Sequence, residues 1–223
     1  QMCIRDSHNM SVDIRIRKGA NIHLKGESEK ILSDAANSET FALKPDNFFG
    51  IIPRLIVKEG DKIAKGAPVF YSKKDPRILF TSPVSGTVKE VIRGAKRKIL
   101  KIVIEEQEGD IITHKITSKS LTRKNISEIL LKSGAWPFIK QRPYGIIANP
   151  YMTPKAIYIS TYASAPLDVD FQFLLKNNKE DFQKGIDILY TMVEKPVILS
   201  IDSSFSGFFE NIKISRGIEK ESL

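Results

Sequence analysis

The chain has 223 residues, 41% hydrophobic and 27% charged, and its 35 basic against 26 acidic side chains leave a net charge of +9. This is the composition of a globular protein with room for one large or two small domains, and no apolar run approaches the ~18–20 residues of a membrane-crossing helix. The single cysteine, Cys3, excludes an intramolecular disulfide and any cysteine-built metal cluster, so a reducing, cytoplasmic setting is expected.

Residues 1–9 show neither a strand nor a helix period and precede Met10; they read as a sequencing or cloning remnant, with no apolar core of a secretory leader. Residues 14–18 alternate apolar and basic side chains, the pattern of a short strand, and Gly19-Ala20-Asn21 follows as a turn. Residues 40–43 are a further strand, closed by the turn chemistry of Lys44-Pro45-Asp46. Residues 54–57 form a strand ending at Glu59-Gly60-Asp61. A second glycine turn at Lys65-Gly66 leads to a strand at 69–71, another at 78–81, and the turn Pro83-Val84-Ser85-Gly86. Residues 88–92 and 99–104 make a hairpin whose apolar residues fall on both faces, Leu100, Ile102 and Ile104 on one, Ile99 and Val103 on the other.

Residues 111–119 read as a linker containing the domain boundary. A helix follows, with Thr122 or Asn125 as its cap, a stripe of Ile126, Ile129 and Leu130, and Gly134 as its stop. Four prolines and two glycines make 134–154 an irregular connector. The last third is α/β: a strand at 156–161, a helix capped by Asn178 with Glu180 and Asp181 in its first turn, and a continuous apolar strand at 197–201 of the buried parallel kind, after Pro196. Strand, helix and strand in that order make a βαβ unit.

Few residues carry recognisable chemistry. The hairpin tip at 72–77 presents Lys73 and Lys74 near where a carrier domain holds its modified lysine. The methionine flank of biotin carriers and the acidic context of lipoyl carriers are both absent, and solvated turn lysines are the simpler reading. The loop at 162–167 sits where a doubly wound fold would cradle a phosphate but contains no glycine, so an empty nucleotide site is expected. His8, His23 and His114 lack metal-ligand spacing, and no Gly-x-Ser-x-Gly elbow exists; Ser206-Gly207 reads as part of a loop after the strand. The basic run 93–101 is followed by Glu105, Glu106, Glu108 and Asp110, which reads as a basic tip beside an acidic loop; without aromatics for stacking it is not a nucleic-acid surface. Trp136, Arg142 and Tyr144 form an aromatic and cationic group on the connector. It would suit a quinone head group, although packing between domains is the plainer role for Trp136.

Val57-Lys58-Glu59-Gly60-Asp61, Lys65-Gly66, Lys73-Lys74-Asp75-Pro76, the stretch from Phe80 to Gly86, Arg93-Gly94 with Lys96-Arg97, Ser133-Gly134-Ala135-Trp136, Arg142-Pro143 and the helix start Asp181-Phe182-Gln183-Lys184-Gly185 together resemble the A-subunit family of the sodium-translocating NADH:quinone reductases, over residues 14–201. The glycine turns alone also resemble biotin and lipoate carriers and the C subunit of Rnf-type complexes, which stay as alternatives. The resemblance implies an α+β chain: a β-rich, biotinyl/lipoyl-like barrel-sandwich hybrid over 10–115, a helix and connector over 116–155, and an incomplete Rossmann-like α/β domain over 156–223. It implies a fragment of a peripheral subunit on the cytoplasmic face of the membrane, in a six-subunit complex that oxidises NADH, reduces ubiquinone and exports sodium. Its partners would be the other subunits, above all the membrane-embedded quinone-reducing one. No catalytic residue, metal or bound cofactor is expected in this chain, and the quinone-contact candidates are Trp136, Arg142 and Tyr144.

Overall fold

A computed structural model describes residues 12–13, 24–26, 29–115, 121–161, 165, 167–201 and 220–222. The remnant 1–9, the strand 14–18, the turn 19–21 and the loop around Ser206 expected from the sequence lie outside the described residues, as do His8 and His23. The chain forms two compact units, Asp34–Met152 and Gln1–Ser33 with Thr153–Leu223. The first strand, β1 (Val12–Asp13), belongs to the second unit.

The Asp34–Met152 unit is a barrel-sandwich hybrid of two antiparallel sheets. One has the order β2-β8-β7-β4, from Thr40–Leu43 (β2), Lys62–Ile63 (β4), Gly86–Arg93 (β7) and Ile99–Glu106 (β8); the other has the order β3-β5-β6, from Pro53–Leu55 (β3), Pro68–Ser72 (β5) and Asp75–Thr81 (β6). Val69, Phe70, Val88, Ile102 and Ile104 are fully buried in this unit, and the Phe70 ring stacks on Phe80 at 4.4 Å. Side chains of this size each contribute about 1.5–3 kcal/mol when taken out of water. The prolines obey ladder chemistry: Pro53 and Pro76 lie on the edge strands β3 and β6, and Pro68 opens β5, where a missing N–H costs least.

The Pro83-Val84-Ser85-Gly86 turn locks the sandwich. Ser85 is buried, and its hydroxyl accepts from the Lys65 N–H at 2.9 Å and donates to the Asp110 carbonyl at 2.7 Å, so one small side chain satisfies two separate segments. Gly86 follows because β8 runs hard against it: a Cβ there would lie 1.9 Å from the Glu105 carbonyl oxygen.

Several details depart from the sequence reading. β6 begins at Asp75 rather than 78, so the tip contracts to the two-residue turn Lys73-Lys74, and Pro76 lies inside an edge strand. In β8, Ile102, Val103 and Ile104 are buried on both faces as expected. Leu100 is exposed, because register shifts near Arg93 break the alternation at the tip. The basic tip and the acidic run are not neighbours. Ile99 and Glu106 bound β8, and seven steps of ~3.3 Å separate its ends by about 23 Å.

The helix α1 (Arg123–Lys132) is capped by Thr122, whose hydroxyl accepts from the Asn125 N–H at 3.3 Å, and buries Ile126 and Leu131. Gly134 ends it at φ +75° against Thr81 of β6. With that contact the helix and connector join the barrel in one compact unit, which runs to Met152. The compact unit that holds the barrel begins at Asp34.

In the second unit a parallel sheet has the order β1-β13-β12-β11, with Ile157–Ser160 (β11), Val197–Ile201 (β12) and Lys220–Ser222 (β13). β12 lies between two neighbours and buries Val197, Ile198, Leu199 and Ile201, as its unbroken apolar run demands. Between β11 and β12 come α2 (Phe171–Leu175) and α3 (Lys179–Val193), the latter burying Ile186, Met192 and Val193. Asn178 occupies the cap position of α3 without a capping side-chain bond. The short helix α2 had no counterpart in the sequence reading; Asp170 starts it by accepting from the Phe173 N–H at 2.9 Å.

Candidate functional site

The connector after α1 is built around Trp136. Gly134 turns the chain, Trp136-Pro137-Phe138 makes one 3-10 turn, and a small hairpin of β9 (Lys140–Gln141) and β10 (Ile146–Ile147) follows. Trp136 is 5% exposed and donates its indole N–H to the Ala148 carbonyl at 2.8 Å. The indole's hydrogen bond stays within the Asp34–Met152 unit. Arg142 and Tyr144 share the four-residue turn between β9 and β10, both exposed, Tyr144 at 76%. The structure therefore keeps two of the three candidate residues together at the surface and commits the third to packing.

Aromatic side chains that the sequence reading passed over lie beside this hairpin. Phe48 meets Phe80 edge-on at 4.6 Å and Phe138 at 6.0 Å, and the Lys140 ammonium sits 5.4 Å from the Phe48 ring centre. Phe70, Phe80, Phe48 and Phe138 form a ladder from the core to the surface, where Phe49 and Phe138 are largely exposed. Gly50 lies against Ile146, which joins the Phe48-Phe49 turn to the hairpin. The signal in the sequence was the Phe48-Phe49 pair itself, and only tertiary packing brings it to Phe138.

At the β5–β6 tip, Lys73 and Lys74 are exposed. Next to them Asp75 and Arg77 make a two-pronged pair, Nε to Oδ1 at 3.1 Å and Nη2 to Oδ2 at 2.7 Å, and the guanidinium lies 3.8 Å over the Tyr151 ring. The bonded Arg77 holds the Asp75 carboxyl below its ordinary pKa, and Asp75 raises that of Arg77. In the second unit the Lys30 ammonium, bonded at 2.7 Å, and the Phe173 N–H hold Asp170 low in the same way.

The β7–β8 hairpin is electrically polarised. At one end Glu39, Glu105 and Glu106 line a depression of about 410 Å³, and the Lys89 ammonium bonds Glu105 at 3.0 Å, which raises the lysine pKa. At the other end Arg93, Lys96, Arg97 and Lys98 are exposed, with Lys101 half-buried below them. Lys96 and Arg97 have φ of +53° and +60°. Left-handed backbone costs an L-residue roughly 1–2 kcal/mol, so this turn would be more stable with glycine or asparagine.

At the end of β11, Thr161 is buried and bonded to the Ser200 carbonyl. Beyond it Ala165 and Leu167 are exposed, and the rest of the loop expected to be an empty nucleotide site lies outside the described residues. His114 is exposed, and among the described residues no three metal-ligating side chains converge.

The family models match this architecture piece by piece: the NqrA N-terminal barrel-sandwich hybrid domain over residues 14–107 and the NqrA second alpha/beta domain over 121–215. The chain belongs to the NqrA family. Similar relatives include the A subunit of the Na(+)-translocating NADH-quinone reductase of Pasteurella multocida, 32% identical over 190 residues, covering 83% of this chain and 43% of the relative. The same-named proteins of Neisseria meningitidis serogroup C, 32% identical over 189 residues, and of Alcanivorax borkumensis, 30% over 189, each cover 82% of this chain and 42% of the relative. The chain thus spans less than half the length of these relatives. The two family segments meet between residues 107 and 121, whereas the compact units divide after Met152, because α1 and the connector pack on the barrel.

Proposed function

We propose that this chain serves as part of the A subunit of a sodium-translocating NADH:ubiquinone reductase, peripheral on the cytoplasmic face of the membrane. It would help to assemble a six-subunit complex that couples NADH oxidation to sodium export. The observation that carries this reading is the succession of both NqrA domains along one chain, in order, on a barrel and a parallel sheet of the matching kinds. No catalytic acid, base or nucleophile is assigned to the chain, and no redox group of its own. NADH and ubiquinone belong to the whole complex. The partner proposed to lie nearest is the membrane-embedded quinone-reducing subunit.

Within that reading, Arg142 and Tyr144 are the proposed contacts for a quinone head group. Arg142 offers a cationic donor to a quinone carbonyl and Tyr144 an exposed ring, with Phe138 and Phe49 supplying apolar surface for the tail. Trp136, the third candidate, then supports the hairpin from behind. It is also the chain's single tryptophan, so its emission reports on this region alone.

Two measurements test the proposal. Co-expressed with the remaining subunits, the tagged chain should purify with them from detergent-solubilised membranes; a chain recovered free of every other subunit rejects the assembly role. Titration with a short-chain ubiquinone should quench Trp136 emission saturably, and Arg142→Ala with Tyr144→Ala should weaken that quenching several-fold. Quenching that stays linear in quinone removes the contact.

A further inference from the structure

The basic end of the β7–β8 hairpin is the feature the family reading leaves unused. Arg93, Lys96, Arg97, Lys98 and Lys101 gather within one hairpin end. The register adds Lys44, since Leu43 pairs with Ile102 and Lys44 therefore emerges beside Lys101. Among the described residues the acid bonded to them at the tip is Asp46, 2.7 Å from Lys98, and Glu90 lies further along β7, opposite Val103. Glu59 is occupied with the Val91 N–H at 2.7 Å, further down the ribbon, and the glutamates of β8 lie at its far end. The two outermost cations, Lys96 and Arg97, occupy left-handed backbone that glycine would adopt without cost, so the turn keeps charge at the expense of stability. Leu100, exposed at 39%, adds an apolar side chain beside them.

We propose that this tip is an electrostatic contact for an anionic lipid surface. It deepens the peripheral location proposed above and rests on that reading for its choice of a membrane. A single convex turn is too small for a specific protein interface, which takes about 800 Å² per partner. Long cationic side chains around one apolar residue suit a layer of head groups that can mould to them. Nucleic acid would need rings for base stacking, and the tip has none.

The test uses the 223-residue chain alone, in flotation with vesicles of phosphatidylglycerol and phosphatidylcholine mixed, or of phosphatidylcholine only. The chain should float with the anionic vesicles at low salt, remain behind with the neutral ones, and be released by ~0.5 M NaCl as the screening length shrinks. Each cation near an anionic surface counts for about fivefold in binding, so Lys96→Gly with Arg97→Gly should weaken binding roughly 25-fold while raising the melting temperature. Reversing both charges to glutamate should weaken it further. The control Lys124→Glu with Lys132→Glu, on α1, changes net charge as much as the glutamate reversal does and should retain most of the binding. No flotation with anionic vesicles, equal flotation with neutral ones, or tip variants no weaker than the control overturns the proposal. Tip variants that float like the unaltered chain but no longer purify with the other subunits also overturn it, in favour of an acidic protein surface. Loss of co-purification by the unaltered chain, with vesicle binding intact, counts against the assembly reading and leaves the lipid contact standing.

Discussion

Replacing Gly134 with alanine tests how the connector is fastened to the barrel. Gly134 sits at φ +75°, and a Cβ there would lie 2.5 Å from the Thr81 hydroxyl oxygen and 3.0 Å from its methyl carbon. The left-handed backbone alone costs alanine roughly 1–2 kcal/mol. Crowding against a half-buried threonine adds about 1–2 kcal/mol, within the usual range for overpacking. The expected loss is therefore about 2–4 kcal/mol, a large share of the ~5–15 kcal/mol of a typical domain. Urea unfolding read by Trp136 emission and by far-ultraviolet circular dichroism measures it. Thr81→Ala removes both crowding atoms, at the smaller cost of the hydroxyl's 3.3 Å bond to the Ser133 carbonyl. In that background the Thr81 Cβ still lies 3.2 Å from the new methyl, so Gly134→Ala should cost the backbone share and a small residual contact, and the double-mutant cycle should return about 1 kcal/mol of coupling. A Gly134→Ala chain within ~0.5 kcal/mol of the parent, or equal losses in both backgrounds, refutes the account.

Gly86→Ala should abolish folding of the barrel unit, since its Cβ would meet backbone rather than a side chain that can rotate away; a folded, thermally cooperative variant contradicts the β7–β8 approach. Asp75→Asn removes an ion pair whose carboxyl is held below its ordinary value. The parent's advantage, up to ~1 kcal/mol for a pair this exposed, should be full at neutral pH and fade as pH falls below about 4, and equal stability at pH 7 argues against it. Asp170→Ala should cost about 1 kcal/mol and speed hydrogen exchange at the Phe173 amide; unchanged protection there means α2 does not depend on its cap.

Local chemistry carried much of this protein into the one-dimensional chain. The strand at 40–43, the turns at Gly60, Gly66 and Gly86, the helix capped at Thr122 or Asn125 and stopped by Gly134, and the unbroken apolar run of 197–201 each depend on a few neighbouring residues and a nearby backbone demand. They were therefore legible without coordinates. Trp136, expected to pack, is buried, because a large apolar ring with one donor has few other places to go.

Tertiary structure decided what joins what. Sequence proximity put the basic run beside the glutamates, but an extended strand separates successive residues faster than any other conformation, so one hairpin carries the two charges at opposite ends. Contacts such as that of Gly134 with Thr81, 53 positions earlier, made α1 and the connector part of the barrel's compact unit. Phe48 reached Phe138 the same way, across packing that no local pattern encodes. Backbone preferences act over a few residues; burial is settled by whichever distant surfaces happen to fit.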